Sequence, residues 1–349
     1  MSSIRQSIYA RFTALVFSAA FVLCACSSLF TAQASAAEIT LRFANFPPAS
    51  TFPCVGAEHW IEEVQKLTNG KVKVDHYPAG TLVDIRSMIR GIIKGQADIG
   101  CFSVAYFPGM FPLTSAFELP MGFRSARDAG VALMKALNEF SPAEFEKFKI
   151  VTAFACPPSQ VMSRLPVKGL ESMKGLRLRA AGIMADEVSM LGGSPVSMPQ
   201  SEAPDAISRG AVDGVFSSLD VYKDLNYAEP CRNVLITDMS VYPFMFVMNK
   251  KTWESLPEDV KKVIDSLALP TAEWIGTYVD NHAKESLEWA KQTYGVKVEV
   301  LSDEERAKAL ETVSPLVKKW EEAAAAKNLP AAKMLDFIRS EVKAAEQAK

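Results

Sequence analysis

The sequence predicts an α/β fold of two lobes, each built on a mixed β-sheet, with a hinged cleft between them. Short apolar strands alternate with amphipathic helices along residues 39–103, and the same alternation returns along residues 150–218. The chain has 349 residues, 49% of them hydrophobic, which is enough for two domains with a substantial core. Because both stretches repeat one rhythm, we expect two similar lobes.

The first stretch predicts three strands and two helices. Alternating apolar residues indicate strands, helical spacing indicates the helices, and Asn69-Gly70 supplies a turn. The expected elements are a strand over 39–44, a helix over 55–67, a strand over 72–77, a helix over 84–94 and a strand over 98–103. Sheets of this kind bind ligands at the carboxyl ends of their strands.

The second stretch repeats this order. We expect strands over 150–155, 176–180 and 212–218, and helices over 183–191 and 201–209. The strand over 212–218 begins with an acid followed by a glycine, Asp213-Gly214. The strand over 98–103 has a similar start, with Asp98 and Gly100.

The last part of the chain is predicted to be helical. A helix begins near Pro257 and continues toward Tyr294, with Pro270 expected to kink or break it. Ser302 caps a further amphipathic region that runs to Lys349. We expect this region to pack across both lobes with one solvated face.

Charge and composition exclude several classes of function. The chain has 38 Lys and Arg against 40 Asp and Glu, so it lacks the basic excess of a nucleic-acid-binding protein. Three His and six Cys leave little material for a metal cluster. We therefore expect no nucleic-acid partner, no cofactor and no metal site.

The N-terminus has the pattern of a cleavable signal peptide over residues 1–36. Arg5 and Arg11 precede an apolar run over 12–25, and Ala34-Ser35-Ala36 fits the cleavage rule, which places the cut before Ala37. A membrane anchor and lipidation at Cys26 are the alternatives. We expect an exported protein.

Four cysteines remain after the predicted cleavage. They are even in number, as in a disulfide framework, but they have no CxxC spacing that would indicate a redox motif or zinc site. The sequence leaves two readings open, disulfides or buried thiols, for Cys54, Cys101, Cys156 and Cys231.

Three segments carry a resemblance to a known family: Lys174–Arg179, Leu191–Pro199 and Gly210–Gly214. In this order they resemble the solute-binding subunits of tripartite ATP-independent periplasmic (TRAP) transporters, the DctP-like family. Further similar segments extend the resemblance over most of residues 38–295, and these are Thr68–Val72, Tyr106–Leu113, Met248–Trp253 and Leu256–Val260.

The resemblance implies a monomeric periplasmic binding protein whose long C-terminal helical scaffold spans both lobes. Lobe I would comprise 37–155 and about 243–282, and lobe II 156–242 and about 283–349. Such a receptor delivers a small organic anion to the small and large integral-membrane permease subunits of a TRAP transporter. A receptor that presents its ligand to a sensor kinase would look the same in sequence.

The resemblance also implies that Arg179 enters the cleft and pairs with the ligand's acid group. A guanidinium is always charged, and its planar fork matches a carboxylate or sulfonate with two parallel hydrogen bonds. By the period of two, Arg177 and Arg179 share a strand face, so the family pattern and not periodicity selects Arg179.

Other cleft positions differ from the sialic-acid-binding members of the family. Where those members have a cleft Glu, a cleft Arg, a second ligand-binding Arg, a stacking aromatic and a ligand-contacting Asn, this chain has Ser103, Tyr106, Ser159, Gln200 and Ser217 in turn. The chain thus keeps one cleft arginine, which favours a smaller monoanion. We expect ligand contacts from hydroxyls and amides, with Gln160 added, and an apolar wall from Phe46, Phe216 or Tyr222.

The ligand's identity stays open among C4-dicarboxylates, 2-oxo or 2-hydroxy acids, aromatic acids and sulfonates such as isethionate. We expect no enzymatic activity, because the chain has no recognisable catalytic or nucleotide-binding motif. Cys54 and His59 invite a nucleophile–base interpretation, and Asp84 and Asp220 are candidate cleft carboxylates. Nothing in the sequence joins either pair.

Overall fold

The protein contains two mixed β-sheets, seen in a computed structural model that describes residues 39–348. The first sheet has the strand order β2-β1-β3-β10-β4, and the second has the order β11-β9-β5-β8-β6-β7. The strands are β1 Ile39–Ala44, β2 Val72–Tyr77, β3 Ile99–Ser103, β4 Phe148–Ala155, β5 Gln160–Ser163, β6 Arg177–Arg179, β7 Ser194–Val196, β8 Gly214–Ser217, β9 Asn233–Ile236, β10 Pro243–Asn249 and β11 Lys297–Val300. We call the parts built on these sheets the first and second lobes.

Both sheets combine parallel and antiparallel pairs, as predicted. In the first sheet β1 and β3 are parallel, while β10 runs antiparallel between β3 and β4. In the second sheet β6 lies parallel between β7 and β8, and β5 pairs antiparallel with β8 and β9. The two-lobed α/β fold expected from the sequence is confirmed.

Helices cover the sheets and continue beyond them. They are α1 Phe52–Leu67, α2 Met88–Ile93, α3 Ala126–Phe140, α4 Ile183–Met190, α5 Ala203–Ser208, α6 Val221–Asp224, α7 Lys250–Ser255, α8 Glu258–Tyr294, α9 Asp303–Val313, α10 Pro315–Ala325 and α11 Ala331–Gln347.

Two helices of the first lobe differ from their predicted bounds for local reasons. Helix α1 begins three residues early, because Pro53 lacks an N–H and fits the first turn after Thr51. Helix α2 begins four residues late. The Asp84 carboxylate accepts hydrogen bonds from the backbone N–H groups of Arg86 and Ser87, which holds a turn there instead of a helix.

Helix α8 joins the two lobes. It packs against α1, α3 and β4 of the first lobe and against α6 of the second. The predicted break at Pro270 does not occur, because the helix continues through this residue. The Thr152 hydroxyl donates a hydrogen bond of 2.6 Å to the Ala268 carbonyl oxygen. Gly276 lets α3 approach, because a Cβ there would lie 2.4 Å from the Arg127 Cα.

The C-terminal helices also contact both lobes. Helix α9 begins with a capping box between Ser302 and Glu305, as the sequence predicted. Helices α9 and α10 pack on α4, whereas α11 packs on α3. The exact lobe boundaries stay a prediction.

Two expectations concern export. The predicted signal peptide over 1–36 lies outside the described residues. Within residues 39–348, every helix is too short or too polar to span a bilayer.

The four cysteines that raised the disulfide question are buried, unpaired thiols. Burial raises the pKa of Cys54, Cys156 and Cys231 to about 12. They behave as small apolar side chains of the core.

Candidate functional site

A cavity lies between the two sheets, where the carboxyl ends of β1, β3, β6 and β8 converge. It holds about 70 Å³. The lining residues are Phe46, Pro47, Pro48, Thr51, Phe52, Pro53, Ser103, Tyr106, Cys156, Arg179, Gln200, Ser201, Ser218, Asp220, Val221, Leu225, Tyr242 and Phe244.

Arg179 is the charged centre of this cavity. It ends strand β6 and is only 1% exposed. Its Nε donates to the Met198 carbonyl oxygen and its Nη2 to the Tyr106 hydroxyl, and both hydrogen bonds are 3.0 Å long. These bonds use two of its five N–H donors. Among residues 39–348, no carboxylate oxygen lies within 4.0 Å of its nitrogens.

Arg177, two residues earlier, has a different environment. It shares the Asp213 carboxylate with Arg164, through contacts of 2.9 and 2.8 Å. The hydrogen bond from Arg177 is the main reason that the pKa of Asp213 lies well below its usual range, and Arg164 adds to this effect. Arg177 is thus part of a structural ion network.

Tyr106 connects the first lobe to Arg179. It lies in the short 3₁₀ helix Val104–Tyr106 that follows β3. Its hydroxyl accepts from Arg179 and also from the backbone N–H of Gln200 at 3.3 Å. Its ring packs edge-on against Phe46, with 5.5 Å between centroids.

Three other predicted site residues lie at or behind the cavity wall. Gln200 lines the cavity, and its Nε2 donates to the Ser217 hydroxyl at 3.0 Å. Ser217 is not itself a lining residue and supports Gln200 from behind. Ser103 lines the cavity, is buried, and its hydroxyl has no protein hydrogen-bond partner among the described residues.

Ser159 and Gln160 lie outside the lining and have structural partners. The Ser159 hydroxyl contacts the Met184 Sδ at 3.4 Å. Gln160 Oε1 accepts from the backbone N–H groups of Thr237 and Asp238, and its Nε2 donates to the Asp238 carboxylate. The structure therefore brings four of the seven predicted residues together at the cavity: Arg179, Tyr106, Ser103 and Gln200. Ligand contact stays a prediction for all seven.

The apolar wall includes one of the three aromatics that the sequence suggested. Phe46 lines the cavity as expected and lies parallel to Phe244, which also contacts Phe52. Phe216 and Tyr222 are fully buried and lie outside the lining. Sequence reasoning missed Phe244 because β10 reaches this wall from a distant part of the chain.

One of the two candidate carboxylates reaches the cavity. Asp84 is exposed and lies elsewhere, whereas Asp220 lines the cavity and is 2% exposed. Burial raises the pKa of Asp220 above its usual range, repulsion from Asp224 adds to this, and the Ser218 hydroxyl opposes it.

The Cys54–His59 interpretation finds no support in the geometry. The Cys54 thiol donates to the Pro47 carbonyl oxygen, while the His59 ring stacks on Trp274 with 3.8 Å between centroids. Within the described range, no group of three or more His, Cys, Asp or Glu side chains is placed to hold a metal ion.

Comparison with known proteins identifies the family. The sequence profile of the bacterial extracellular solute-binding proteins, family 7 (DctP), matches residues 43–323. The C4-dicarboxylate-binding periplasmic protein DctP of Rhodobacter capsulatus is 23% identical over 322 residues, which cover 88% of this chain and 94% of that protein.

Two solved structures are similar over nearly their whole length. A TRAP periplasmic solute-binding protein from Desulfovibrio salexigens is 47% identical, with a TM-score of 0.81 and coverage of 88% of this chain and 96% of that one. It is an open complex with the C-terminus of a symmetry mate in its ligand-binding site. A marine metagenome TRAP protein specific for aromatic acid ligands, in complex with 3-hydroxybenzoate, is 26% identical, with a TM-score of 0.81 and coverage of 88% and 98%.

The profile spans most of the chain, and the solved relatives share the two-sheet fold with its connecting helix. These relatives are solute-binding proteins, not enzymes. The chain therefore belongs to family 7 of the bacterial extracellular solute-binding proteins and is a solute receptor of the TRAP type.

Proposed function

We propose that this receptor binds a small organic anion, a carboxylate or sulfonate, whose acid group pairs with Arg179 in the cavity between the lobes. The observation that carries the proposal is a buried guanidinium with no carboxylate partner among the described residues. A buried charge is costly unless it is paired, and arginine cannot lose its proton. An anionic ligand would supply the missing charge and accept the remaining N–H donors.

The rest of the lining supports a small acid with an apolar body. The cavity is small, and Phe46, Phe52 and Phe244 give it an aromatic wall. Arg179 is the one lining residue with a permanent positive charge, so a monoanion fits better than a multiply charged acid. The aromatic-acid-specific relative in complex with 3-hydroxybenzoate agrees in chemical class.

Binding is expected to hold the lobes together. Tyr106 reaches the cavity from the first lobe and Arg179 from the second, so a ligand that contacts both favours the closed arrangement. The receptor would work in the periplasm after signal-peptide cleavage and deliver its ligand to the permease subunits of a TRAP transporter.

A thermal-shift screen of residues 37–349 tests the proposal. The panel contains organic acids, sulfonates, amino acids and sugars. A ligand at 100 times its dissociation constant stabilises the folded state by about 2.7 kcal/mol, which is a readable shift. Stabilisation by monoanionic acids or sulfonates is expected. Stabilisation by neutral sugars or cations alone would contradict it, as would no shift together with no acid found by mass spectrometry of the denatured protein.

Variants at β6 connect any hit to Arg179. Arg179→Ala should weaken binding at least about 100-fold, because it removes a charge-assisted bidentate contact. Arg179→Lys should also bind poorly, since an ammonium lacks the planar fork. Arg177→Ala is the matched control and should bind as the wild type does, measured by titration calorimetry.

A further inference from the structure

We infer that Asp220 recognises a hydrogen-bond donor on the ligand, so that the cognate solute is an organic acid carrying a hydroxyl or N–H group as well as its acid group. This inference rests on the proposed function, in which Arg179 holds the acid. It adds the substrate class: a bifunctional hydroxy or N–H acid and not a simple hydrocarbon acid.

The first observation is an unpaired oxygen in the cavity lining. Asp220 is 2% exposed, and its Oδ1 is buried without a protein hydrogen-bond partner among residues 39–348. A buried polar atom without a partner costs free energy, about 1–3 kcal/mol. Such atoms are rare in native proteins and call for an explanation.

The second observation is that no hydrogen bond within the described residues accounts for the position of Asp220 Oδ1, although Ser218 and His282 lie close enough to lower the pKa of this carboxyl. Asp220 precedes helix α6 in the N-cap position, yet its side chain makes no capping hydrogen bond. Its neighbour Asp224 already has a partner, because His282 Nε2 on helix α8 contacts Asp224 Oδ1 at 2.6 Å. Asp224 Oδ2 is also buried without a partner among the described residues, but of these two acids Asp220 is the one that lines the cavity.

The third observation is the arrangement of charge in the cavity. Arg179 and Asp220 both line it, but they lie more than 4.0 Å apart and do not form a salt bridge with each other. The cavity therefore has one group for a ligand anion, Arg179, and a separate group for a ligand hydrogen-bond donor, Asp220. The aromatic wall of Phe46 and Phe244 belongs to the same lining.

Hydrogen-bond chemistry predicts the preference that follows. Neutral or ionised, a carboxyl group has at least one acceptor oxygen, which a ligand hydroxyl or N–H satisfies. A ligand without a hydroxyl or N–H displaces water from the cavity and leaves Asp220 Oδ1 without a hydrogen-bond partner. Sites built to bond a hydroxyl discriminate strongly against analogues that lack it.

The test uses matched acids that differ only by the donor. The pairs are mandelate with phenylacetate, 3-hydroxybenzoate with benzoate, and lactate with propionate, titrated calorimetrically into wild type, Asp220→Ala and Asp220→Leu. Wild type should bind the donor-bearing member of at least one pair about tenfold or more tightly, since a hydrogen bond to a carboxyl group contributes on this scale. Both variants should lose this preference and keep the affinity for the simple acid within about threefold.

Folding and specificity have separate controls. Because Asp220 has no capping bond, both variants should melt at or above the wild-type temperature without ligand. Asp84→Ala removes an exposed carboxylate outside the cavity and should leave the preference unchanged.

The outcomes separate the two proposals. If wild type binds both members of each pair equally, or if Asp220→Ala keeps the preference, the role of Asp220 is wrong while the Arg179 proposal stands. If Arg179→Ala binds the acids like wild type, the proposed function fails as well. If wild type binds no acid of any pair, both proposals are contradicted for these acids.

Discussion

The two arginines of strand β6 lie two residues apart and have opposite roles in the structure. Arg177 is 43% exposed and shares Asp213 with Arg164, so the protein itself balances its charge. Arg179 is buried, and its hydrogen bonds go to neutral oxygens. The protein thus neutralises the charge of Arg177 itself, whereas it buries Arg179 with no carboxylate partner among the described residues.

Buried acids in the same molecule can become neutral, which Arg179 cannot. Glu187 is fully buried, and the Ser240 hydroxyl donates to its Oε1. Burial raises the pKa of Glu187 to about 8 and that of Glu118 to about 7. These acids become neutral by holding a proton, whereas a guanidinium stays charged.

The largest expected effect tests that contrast through Glu187→Gln. The unfolded chain releases this proton near pH 4.5, but the folded protein keeps it to about pH 8. Because the folded state binds more protons in this window, stability falls as pH rises through it. The variant should remove this loss and be more stable than wild type at pH 8, by on the order of 3 kcal/mol.

Denaturant unfolding at pH 5 and pH 8 measures the difference. The exposed Glu62→Gln serves as control and should follow the wild-type profile. Equal pH profiles for wild type and Glu187→Gln would show that Glu187 is ionised inside the protein.

The next effect breaks the balanced side of the comparison. Asp213→Ala leaves Arg164 and Arg177 without their carboxylate, and thermal unfolding should show a loss of about 2 kcal/mol. The cost is moderate because both arginine side chains are at least 40% exposed and water can solvate them. Arg177→Ala should cost less, since Asp213 keeps Arg164.

The Asp213 carboxylate also predicts how stability depends on pH in acid. The pKa of Asp213 is depressed in the folded state, so its contribution is complete above the usual aspartate range and is lost as pH falls below it. Wild type should lose stability on acidification below about pH 4, and Asp213→Ala should lose less over that interval. Identical acid profiles would remove Asp213 as the cause.

The smallest effect concerns how Arg179 is held. Tyr106→Phe removes the hydroxyl that accepts from Arg179 and from the Gln200 backbone, and acid affinity should fall about tenfold. Tyr222→Phe is the matched control, because that buried hydroxyl has no protein partner among the described residues. It should leave affinity and stability unchanged, and equal behaviour of the two variants would contradict an orienting role for Tyr106.

Local chemistry explains which elements could be predicted from sequence. The bounds of β1 and β2 agree with prediction because period-two alternation ends there at strong turn residues, such as Pro47 and Pro78. Pro270 misled the prediction because tertiary packing of α8 against α1, α3 and β4 overrides a local helix breaker.

The site was predictable only in part. Family resemblance, and not alternation, separated Arg179 from Arg177, since both occupy one face of β6 by spacing. The surroundings of Asp220 include His282, which contacts Asp224 from 58 residues away in the chain. Phe244 likewise arrives on a strand whose partners are set by the topology of the sheet and not by neighbouring sequence.

The position of β10 has a consequence for how the chain can fold. This strand lies between β3 and β4 in the first sheet. In sequence, however, it comes after strands β5–β9 and helices α4–α6 of the second lobe. A nascent chain that ends before Pro243 therefore has two sheet edges waiting for one missing strand, and exposed edges invite aggregation. Neither lobe is a contiguous segment, so dividing the gene between them would yield two incomplete cores.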